Sequence, residues 1–336
     1  MKSEMARRIA AGLLFVIAAA FAGTVPAAAT DTTAREGLFE KLDAWVAGGL
    51  SRSGDPGAAL VVADRNGVVH CRGFGHDTHG AAITCGTRFP VASLTKGFTA
   101  IAVMRAVERG AVRLDAPIKT YLPSFRPADA FPITVRDALQ MLTGFDTTEG
   151  QRWLASADAS PGALARRVAA LNRARLFARP GSTFAYSNAD FDLLGAVLER
   201  VERKPYATIM RETVLEPLGL SGAAIGRDVR IRGYSRVFGV PVPALPPPRD
   251  AADDPAAGLL IEPHSLGRYV AAQLDEGRSW SAHVLSRGDW QRLHTSPIDS
   301  PYAMGLFDDV VRGRHVYWHD GLAPDFHAYV VLVPDR

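Results

Sequence analysis

Strand-like patterns lie only at the two ends of this chain, and the long stretch between them carries helical pattern broken by proline and glycine. Near the start, residues 57–63 and 68–74 are short apolar runs joined through Asp64-Arg65-Asn66-Gly67. An Asn-Gly step between apolar runs predicts a β-hairpin. Near the end, residues 302–311, 315–318 and 327–333 again read as strands. Strands, then helices, then strands predict an α/β chain of the α+β type: one antiparallel sheet built from both ends, flanked by helices, with an all-helical region inserted. The predicted division is 30–90 and 257–336 for the sheet region and 91–256 for the mainly helical region. No internal repeat is visible.

Several helices follow from apolar spacing. Leu38, Phe39, Leu42 and Trp45 recur at helical intervals over 34–47. From Ser93 to Gly110 the pattern is apolar almost all round, with Leu94, Phe98, Ile101, Val103, Met104 and Val107, which predicts a buried helix ending at a glycine cap. Thr134 fits as the N-cap of a helix through Leu142. Residues 189–201 place Leu193, Leu194, Val197, Leu198 and Val201 on one face, and 261–275 reads as a further helix. Residues 240–255 contain Pro241, Pro243, Pro246, Pro247 and Pro248, a composition that predicts a long surface loop with no regular element.

The first residues read as an address. Lys2, Arg7 and Arg8 precede the apolar run 9–23, and the small residues Ala27-Ala28-Ala29 follow. Residues 1–29 are therefore expected to be a signal peptide, cut after Ala29, with Ala27 or Ala28 also suited, and the mature chain periplasmic or secreted. The run falls short of the ~20 apolar residues of a spanning helix, so no stable membrane span is expected after cleavage. No cysteine lies near the cut to take a lipid. Cys71 and Cys85 are the two cysteines of the chain. In an exported protein such a pair is expected to form a disulfide, the alternative being two buried thiols. The net charge of +3 is spread over charges of both signs, with no basic stripe. Nucleic acid is thus not expected as a partner, and a small-molecule or cell-wall peptide substrate fits better.

Three short motifs carry chemistry. In Phe89-Pro90-Val91-Ala92-Ser93-Leu94-Thr95-Lys96 a serine and a lysine stand three apart where a strand pattern becomes a helix, so both share one helix face. Such a turn offers a hydroxyl nucleophile, a backbone N–H as oxyanion donor and an amine to move the proton. Few of the 38 lysines and arginines are lysines, yet the partner of Ser93 is one. Arginine keeps its proton, whereas a desolvated lysine gives it up. The plainer reading makes Ser93 an N-cap and Lys96 a solvent-directed side chain. The second motif is Tyr186-Ser187-Asn188, ahead of the 189–201 helix. A tyrosine beside a lysine can act as general base, and Asn188 can hold the lysine or a substrate carbonyl; otherwise the pair is a packed loop tyrosine and a helix cap. The third is His319-Asp320-Gly321, where glycine permits close approach and the N–H of Leu322 can join that of Ser93 in an oxyanion hole. Alone, an edge-strand histidine is an ordinary surface residue. A Ser-His-Asp hydrolase of the α/β type would need Gly-x-Ser-x-Gly, which does not occur. His76, Asp77 and His79, or His315 and His319, have turn or strand spacing, and neither a metal nor any other cofactor is expected.

Together and in this order the motifs resemble the serine β-lactamase-like superfamily of penicillin-binding proteins, class C β-lactamases, D-alanyl-D-alanine peptidases and related esterases. Further landmarks extend the resemblance over nearly the whole mature chain: Thr87-Arg88-Phe89, Leu114-Asp115-Ala116-Pro117 with Tyr121-Leu122-Pro123, Ile133-Thr134-Val135-Arg136-Asp137, Pro180-Gly181 with Phe184-Ala185-Tyr186-Ser187-Asn188, Leu194-Gly195, and Glu216-Pro217-Leu218-Gly219-Leu220. The resemblance implies a β-lactamase-like fold and a serine hydrolase forming an acyl-enzyme. Ser93 would be acylated, Lys96 and Tyr186 would handle protons, Asn188 would orient lysine and substrate, and His319, Gly321 and Leu322 would line the substrate.

The departures also carry expectations. Met141-Leu142-Thr143-Gly144 replaces the family's His-Thr-Ser-Gly, a packing change. Asp320 stands where a small residue helps receive a substrate carboxylate, which favours an esterase or D-Ala-type peptidase over an efficient β-lactamase. Asp325 replaces a frequent glycine before Phe326, so the turn there is expected to differ. The family's last strand, which lies between the N-terminal hairpin and the strands near His319, and its C-terminal helix have no counterpart before Arg336. A sheet lacking its middle, with an exposed edge, is therefore expected, and a non-catalytic or truncated peptidoglycan- or peptide-binding relative is the alternative reading.

Overall fold

The computed structural model describes residues 15–17, 30–127, 131–148, 158–226, 232–244, 250–278, 283–323 and 325–334. Most of the predicted leader, its cleavage site, and Pro246, Pro247 and Pro248 lie outside the described residues.

The first elements are β1 (Phe15–Ile17), helix α1 (Thr30–Ser53), β2 (Gly57–Asp64) and β3 (Gly67–Gly75). The hairpin forms where the Asn-Gly step predicts it. Asp64 pairs with Gly67, so Arg65 and Asn66 form the turn; the Asn66 N–H donates to Asp64 Oδ1 at 2.8 Å, and Gly67 enters β3 at φ +139°. Alternation along β2 divides its side chains between two layers. Leu60 and Val62 meet Val46 and Leu50 of α1, while Val61 and Ala63 enter the main core. There Val61 closes on Gly267, where an added Cβ would sit 2.6 Å from its methyl group.

The middle of the chain carries β4 (Phe89–Pro90), helices α2 (Thr95–Glu108), α3 (Val135–Leu139), α4 (Ala163–Leu171) and α5 (Asn188–Glu202), then β5 (Ala223–Ile225), β6 (Tyr234–Val237) and β7 (Val240–Pro243). Helix α2 is buried along nearly its whole length, as its all-round apolar pattern requires. Helix α3 begins at the predicted cap, Thr134 and Asp137 forming a reciprocal capping box. It ends at Leu139, short of the expected Leu142, because Met141 turns to φ +55°.

The region 240–255 is more ordered than its prolines suggest. Val240–Pro243 pairs with Tyr234–Val237, Pro241 opposite Arg236 and Pro243 opposite Tyr234. Prolines two apart share one side of a strand, which leaves the amides of Val240 and Val242 for the partner. Residues Ala251–Asp253 form a 3₁₀ turn that runs into a short helix, α6 (Asp254–Ala257).

The remaining elements are β8 (Leu259–Ile261), helix α7 (Pro263–Asp275), β9 (Phe307–Val311), β10 (Arg314–Ala323) and β11 (Phe326–Leu332). Ile261, expected to open a helix, closes β8 instead, and the helix starts at Pro263, a residue suited to a first helical position. Residues 302–306, expected in a strand, form turns that bring Tyr302 inward. β4, β8 and β5 make a small antiparallel sheet.

The large sheet has the order β3-β2-β1-β11-β10-β9. Both chain ends contribute to it, as the pattern predicts, but its middle is filled. Phe15–Ile17, within the predicted leader, pairs in parallel with Leu60 and Val61 on one side and with Val330 and Val331 on the other. The expected exposed edge is thus corrected. A β-branched apolar segment satisfies the backbone groups that two facing strand edges would otherwise leave open. The otherwise antiparallel sheet gains two parallel junctions.

Cys71 on β3 and Cys85, ahead of β4, form the expected disulfide with Cα atoms 6.1 Å apart. It ties the outer strand to the segment that leads into Ser93. The bridge spans a sequence separation of 14. Replacing both cysteines by serine is expected to lower the unfolding free energy by about 2–4 kcal/mol, measured by urea denaturation of the oxidised protein and the variant.

Candidate active site

The turn that carries Ser93 is made by opposing demands. The Val91 N–H donates to the Leu259 carbonyl and so continues β4 along β8. Ala92 then takes φ +43°, a sparsely populated conformation for a residue with a side chain, and the chain enters a 3₁₀ turn, Ala92–Leu94. Two threonines rivet this bend. The Thr95 hydroxyl donates to the Ala92 carbonyl at 2.6 Å and accepts from the Leu259 N–H at 3.0 Å, and the Thr99 hydroxyl donates to the Pro255 carbonyl at 2.7 Å. Ser93 is left half-buried at the surface of the bend.

Lys96 lies one turn on and is fully buried. Its Nζ is 2.8 Å from Asn188 Oδ1, 3.0 Å from the Ala256 carbonyl oxygen and 3.1 Å from Ser93 Oγ. Three acceptors match the three hydrogens of an ammonium. When Nζ is neutral its two hydrogens serve Asn188 and Ala256, and the lone pair is left toward the Ser93 hydroxyl. Burial lowers the pKa of Lys96 to about 8, against the opposing pull of Asp253 first and of Asp192, Asp320 and Asp190 after it. The reading of Lys96 as a solvent-directed side chain is therefore excluded.

Tyr186 places its ring centroid 5.0 Å from Lys96 Nζ and 5.8 Å from the His319 ring. It packs among Tyr302 and Phe307, so it is held by an aromatic cluster rather than by its loop alone. Asn188 sits at the first position of α5, and its carbonyl oxygen is directed to the lysine. The Met141-Leu142-Thr143-Gly144 segment supports this arrangement from behind: the Met141 carbonyl accepts from the Ala185 N–H, and the Thr143 hydroxyl donates to Asp190 at 2.6 Å.

His319 is 1 % exposed. Its Nδ1 lies 2.6 Å from the Asp320 carbonyl oxygen, which only accepts, so Nδ1 carries the proton and Nε2 accepts from the Tyr302 hydroxyl at 3.1 Å. Burial first, then the charge on Lys96, lowers its pKa to about 4, and the ring is neutral near pH 7. With both nitrogens engaged, the side chain holds the strand and offers no further polar contact.

The backbone of β10 is the chemically open part. Ala323 and Phe326 flank the β10–β11 turn as a pair, so in an antiparallel ladder residues 319, 321 and 323 bond to β11 while 320 and 322 face the other way. On that other side β9 ends opposite Trp318. The amide of Leu322 therefore faces a strand edge that is unpaired among the described residues, beside the Ser93 turn. Gly321 is required at this approach, since a Cβ there would stand 2.0 Å from the Val91 carbonyl oxygen. The Leu322 side chain is 68 % exposed. At Asp325, which stands where the resembled family often has glycine, φ is +75°, a conformation that favours glycine, and the Ser235 hydroxyl donates to its carboxylate at 2.6 Å, which ties the β6–β7 hairpin to this turn.

Sequence reasoning thus named the side chains that converge here, but it missed Ala256, Tyr302, Thr95, Thr99 and Asp253. Ala256 acts through its carbonyl, which no residue type announces. Substituting Tyr302 by phenylalanine removes the hydroxyl that donates to His319 Nε2. It is expected to cost about 1–3 kcal/mol by leaving a buried acceptor unpaired, read from chemical denaturation against wild type.

Comparison with known proteins agrees with this fold. Protein flp of Staphylococcus aureus (strain MW2) is 23% identical over 312 residues, covering 88% of this chain and 61% of that protein. Esterase EstB of Burkholderia gladioli is 32% identical over 215 residues, covering 54% of this chain and 50% of that one. The chain thus spans less than two thirds of the length of these relatives. Among solved structures, the octameric penicillin-binding protein homologue from Pyrococcus abyssi superposes with a TM-score of 0.76 at 23% identity, over 88% of this chain and 71% of that one. EstCE1, a hydrolase with promiscuous acyltransferase activity, gives a TM-score of 0.72 at 21% identity, over 90% and 94%. The Beta-lactamase family matches residues 42–336, and with a serine-lysine pair seated in this fold the chain belongs to that family.

Proposed function

We propose that this protein is an exported serine hydrolase that forms an acyl-enzyme at Ser93 on an ester or amide substrate. The observation that carries the reading is the buried Lys96 amine within hydrogen-bond reach of the Ser93 hydroxyl, held by two other acceptors so that its free pair points at the proton to be removed. Lys96 takes the Ser93 proton as Oγ attacks the carbonyl carbon. The N–H groups of Ser93 and Leu322 receive the developing oxyanion. Lys96, with Tyr186 beside it, returns the proton to the leaving group, and water then releases the acyl group.

An ester with no carboxylate near the reacting carbonyl suits the site better than a β-lactam. Asp320 lies close enough to act on the charge of both Lys96 and His319, and a fixed anion at that place repels a substrate carboxylate. Similarity to EstB and EstCE1 supports the ester reading. Export rests on the leader composition, and the pairing of Phe15–Ile17 in the large sheet then belongs to the chain before the cut. The described residues contain no helix long and apolar enough to cross a membrane.

Intact-mass measurement after exposure to a short-chain p-nitrophenyl ester and to penicillin tests the reading. The ester is expected to add its acyl mass to wild type and nothing to Ser93→Ala, with penicillin the slower reagent. An equal mass gain in Ser93→Ala would remove Ser93 as nucleophile. Lys96→Arg is expected to lower the acylation rate by about 10²- to 10⁴-fold, the usual worth of a positioned base. The working form of Lys96 is the neutral amine, so the acylation rate should rise with pH through about 8 and level off above it; a rate falling with pH over that range would contradict Lys96 as the base.

A further inference from the structure

Lys96 and Arg167 share one buried region with Asp190, Asp192, Asp250, Asp253 and Asp254. Two cations cannot match five carboxylates. Arg167 on α4 is committed on both arms, to Asp192 through one nitrogen and to Asp250 at 2.6 Å through the other. Asp190 on α5 receives the Thr143 hydroxyl. Asp253 has no such partner: its Oδ1 is buried and accepts no hydrogen bond among the described residues.

The position of Asp253 is specific. It ends the 3₁₀ turn Ala251–Asp253 and lies three residues before Ala256, whose carbonyl accepts from Lys96. The same short segment thus carries both the carbonyl that meets the lysine and a buried carboxylate with no hydrogen-bond partner among the described residues. The groups acting on Lys96 from other elements are Asp190 and Asp192 on α5 and Asp320 and His319 on β10, with the Tyr186 ring above it. Of the carboxylates, Asp253 acts on it most strongly.

We propose that Asp253 is a positioning residue for the hydrolase reading above: its buried carboxylate stabilises the Lys96 ammonium that forms when Nζ takes the Ser93 proton. The balance is simple. The O–H bond of Ser93 breaks as the Oγ–carbon bond forms, the carbonyl pair moves to its oxygen, and the proton rests on Nζ facing Asp253 until the leaving group takes it. Burial raises the pKa of Asp253 to about 6 against the opposing charge of Lys96, so the carboxylate is ionised in the pH range where the lysine titrates.

The test reads the lysine directly. With few lysines in the chain, the full-length protein labelled at lysine Nζ and Cε gives a sparse NMR spectrum in which Lys96 is identified by its loss in Lys96→Met. Its inflection is expected near 8 in wild type and about one pH unit lower in folded Asp253→Asn. Asp253→Glu, which keeps the charge, should stay near wild type. The acid limb of Ser93 acylation should follow the lysine downward in Asp253→Asn, with a slower plateau. An unmoved Lys96 inflection and limb in Asp253→Asn with native near-UV circular dichroism overturns the proposal. Should that variant fail to fold, the wild-type carboxyl ¹³C signal of Asp253 decides: it should respond to the lysine titration as well as to its own, and a single step overturns the proposal. A wild-type chain that is never acylated at Ser93 while its lysine still tracks Asp253 sinks the hydrolase reading, whereas acylation with an untouched lysine sinks this inference alone.

Discussion

A buried amine is the constraint around which the rest of the molecule is arranged. Taking the Lys96 side chain out of water costs several kcal/mol if it is charged, and that cost is bearable only where hydrogen-bond acceptors and opposing charge are already in place. Asn188 comes from the start of α5, Ala256 from α6, and Ser93 from the bend before α2. Three segments distant in sequence are fixed by one nitrogen. The close fit behind it has the same origin: Gly97 faces the Tyr269 hydroxyl, where a Cβ would intrude to 2.3 Å, and Tyr269 stacks on Phe98 with ring centroids 3.9 Å apart. Any side chain at position 97 would push α2 away and draw the lysine off its acceptors.

Much of this was legible in the sequence because the relevant signals are local. The Asn-Gly hairpin, the Thr134 cap, the buried α2 and the Ser93–Lys96 spacing each depend on a few neighbouring residues. The joint order of three motifs then brought Tyr186, Asn188 and His319 to one place before any coordinates. What could not be read was backbone chemistry and pairing across distance. The Ala256 carbonyl looks like any other, the engagement of both His319 nitrogens depends on Tyr302 arriving through turns rather than a strand, and the β6–β7 hairpin hides behind prolines whose missing donors fall on the side that needs none.

The large sheet shows how pairing demand can recruit sequence for which another purpose was inferred. Phe15–Ile17 joins two halves that each present an edge, and its parallel course relative to both neighbours sets it apart from the antiparallel pairs elsewhere in that sheet. The pairing joins segments far apart in the chain, so local pattern did not reveal it. The two halves are also bridged across one face, since α7 packs on β2 through Gly267 and reaches β11 as well.

The positive φ of Ala92 has a separate consequence for how such a site can diverge. This residue is buried and its role is exercised through the bend it allows, so replacements there are filtered by torsional energy rather than by reactivity. Glycine would relax the bend and branched side chains would resist it. The nucleophile's presentation is therefore inherited through a neighbour with no functional group of its own, and drift at that neighbour can silence the site while leaving every polar residue unchanged.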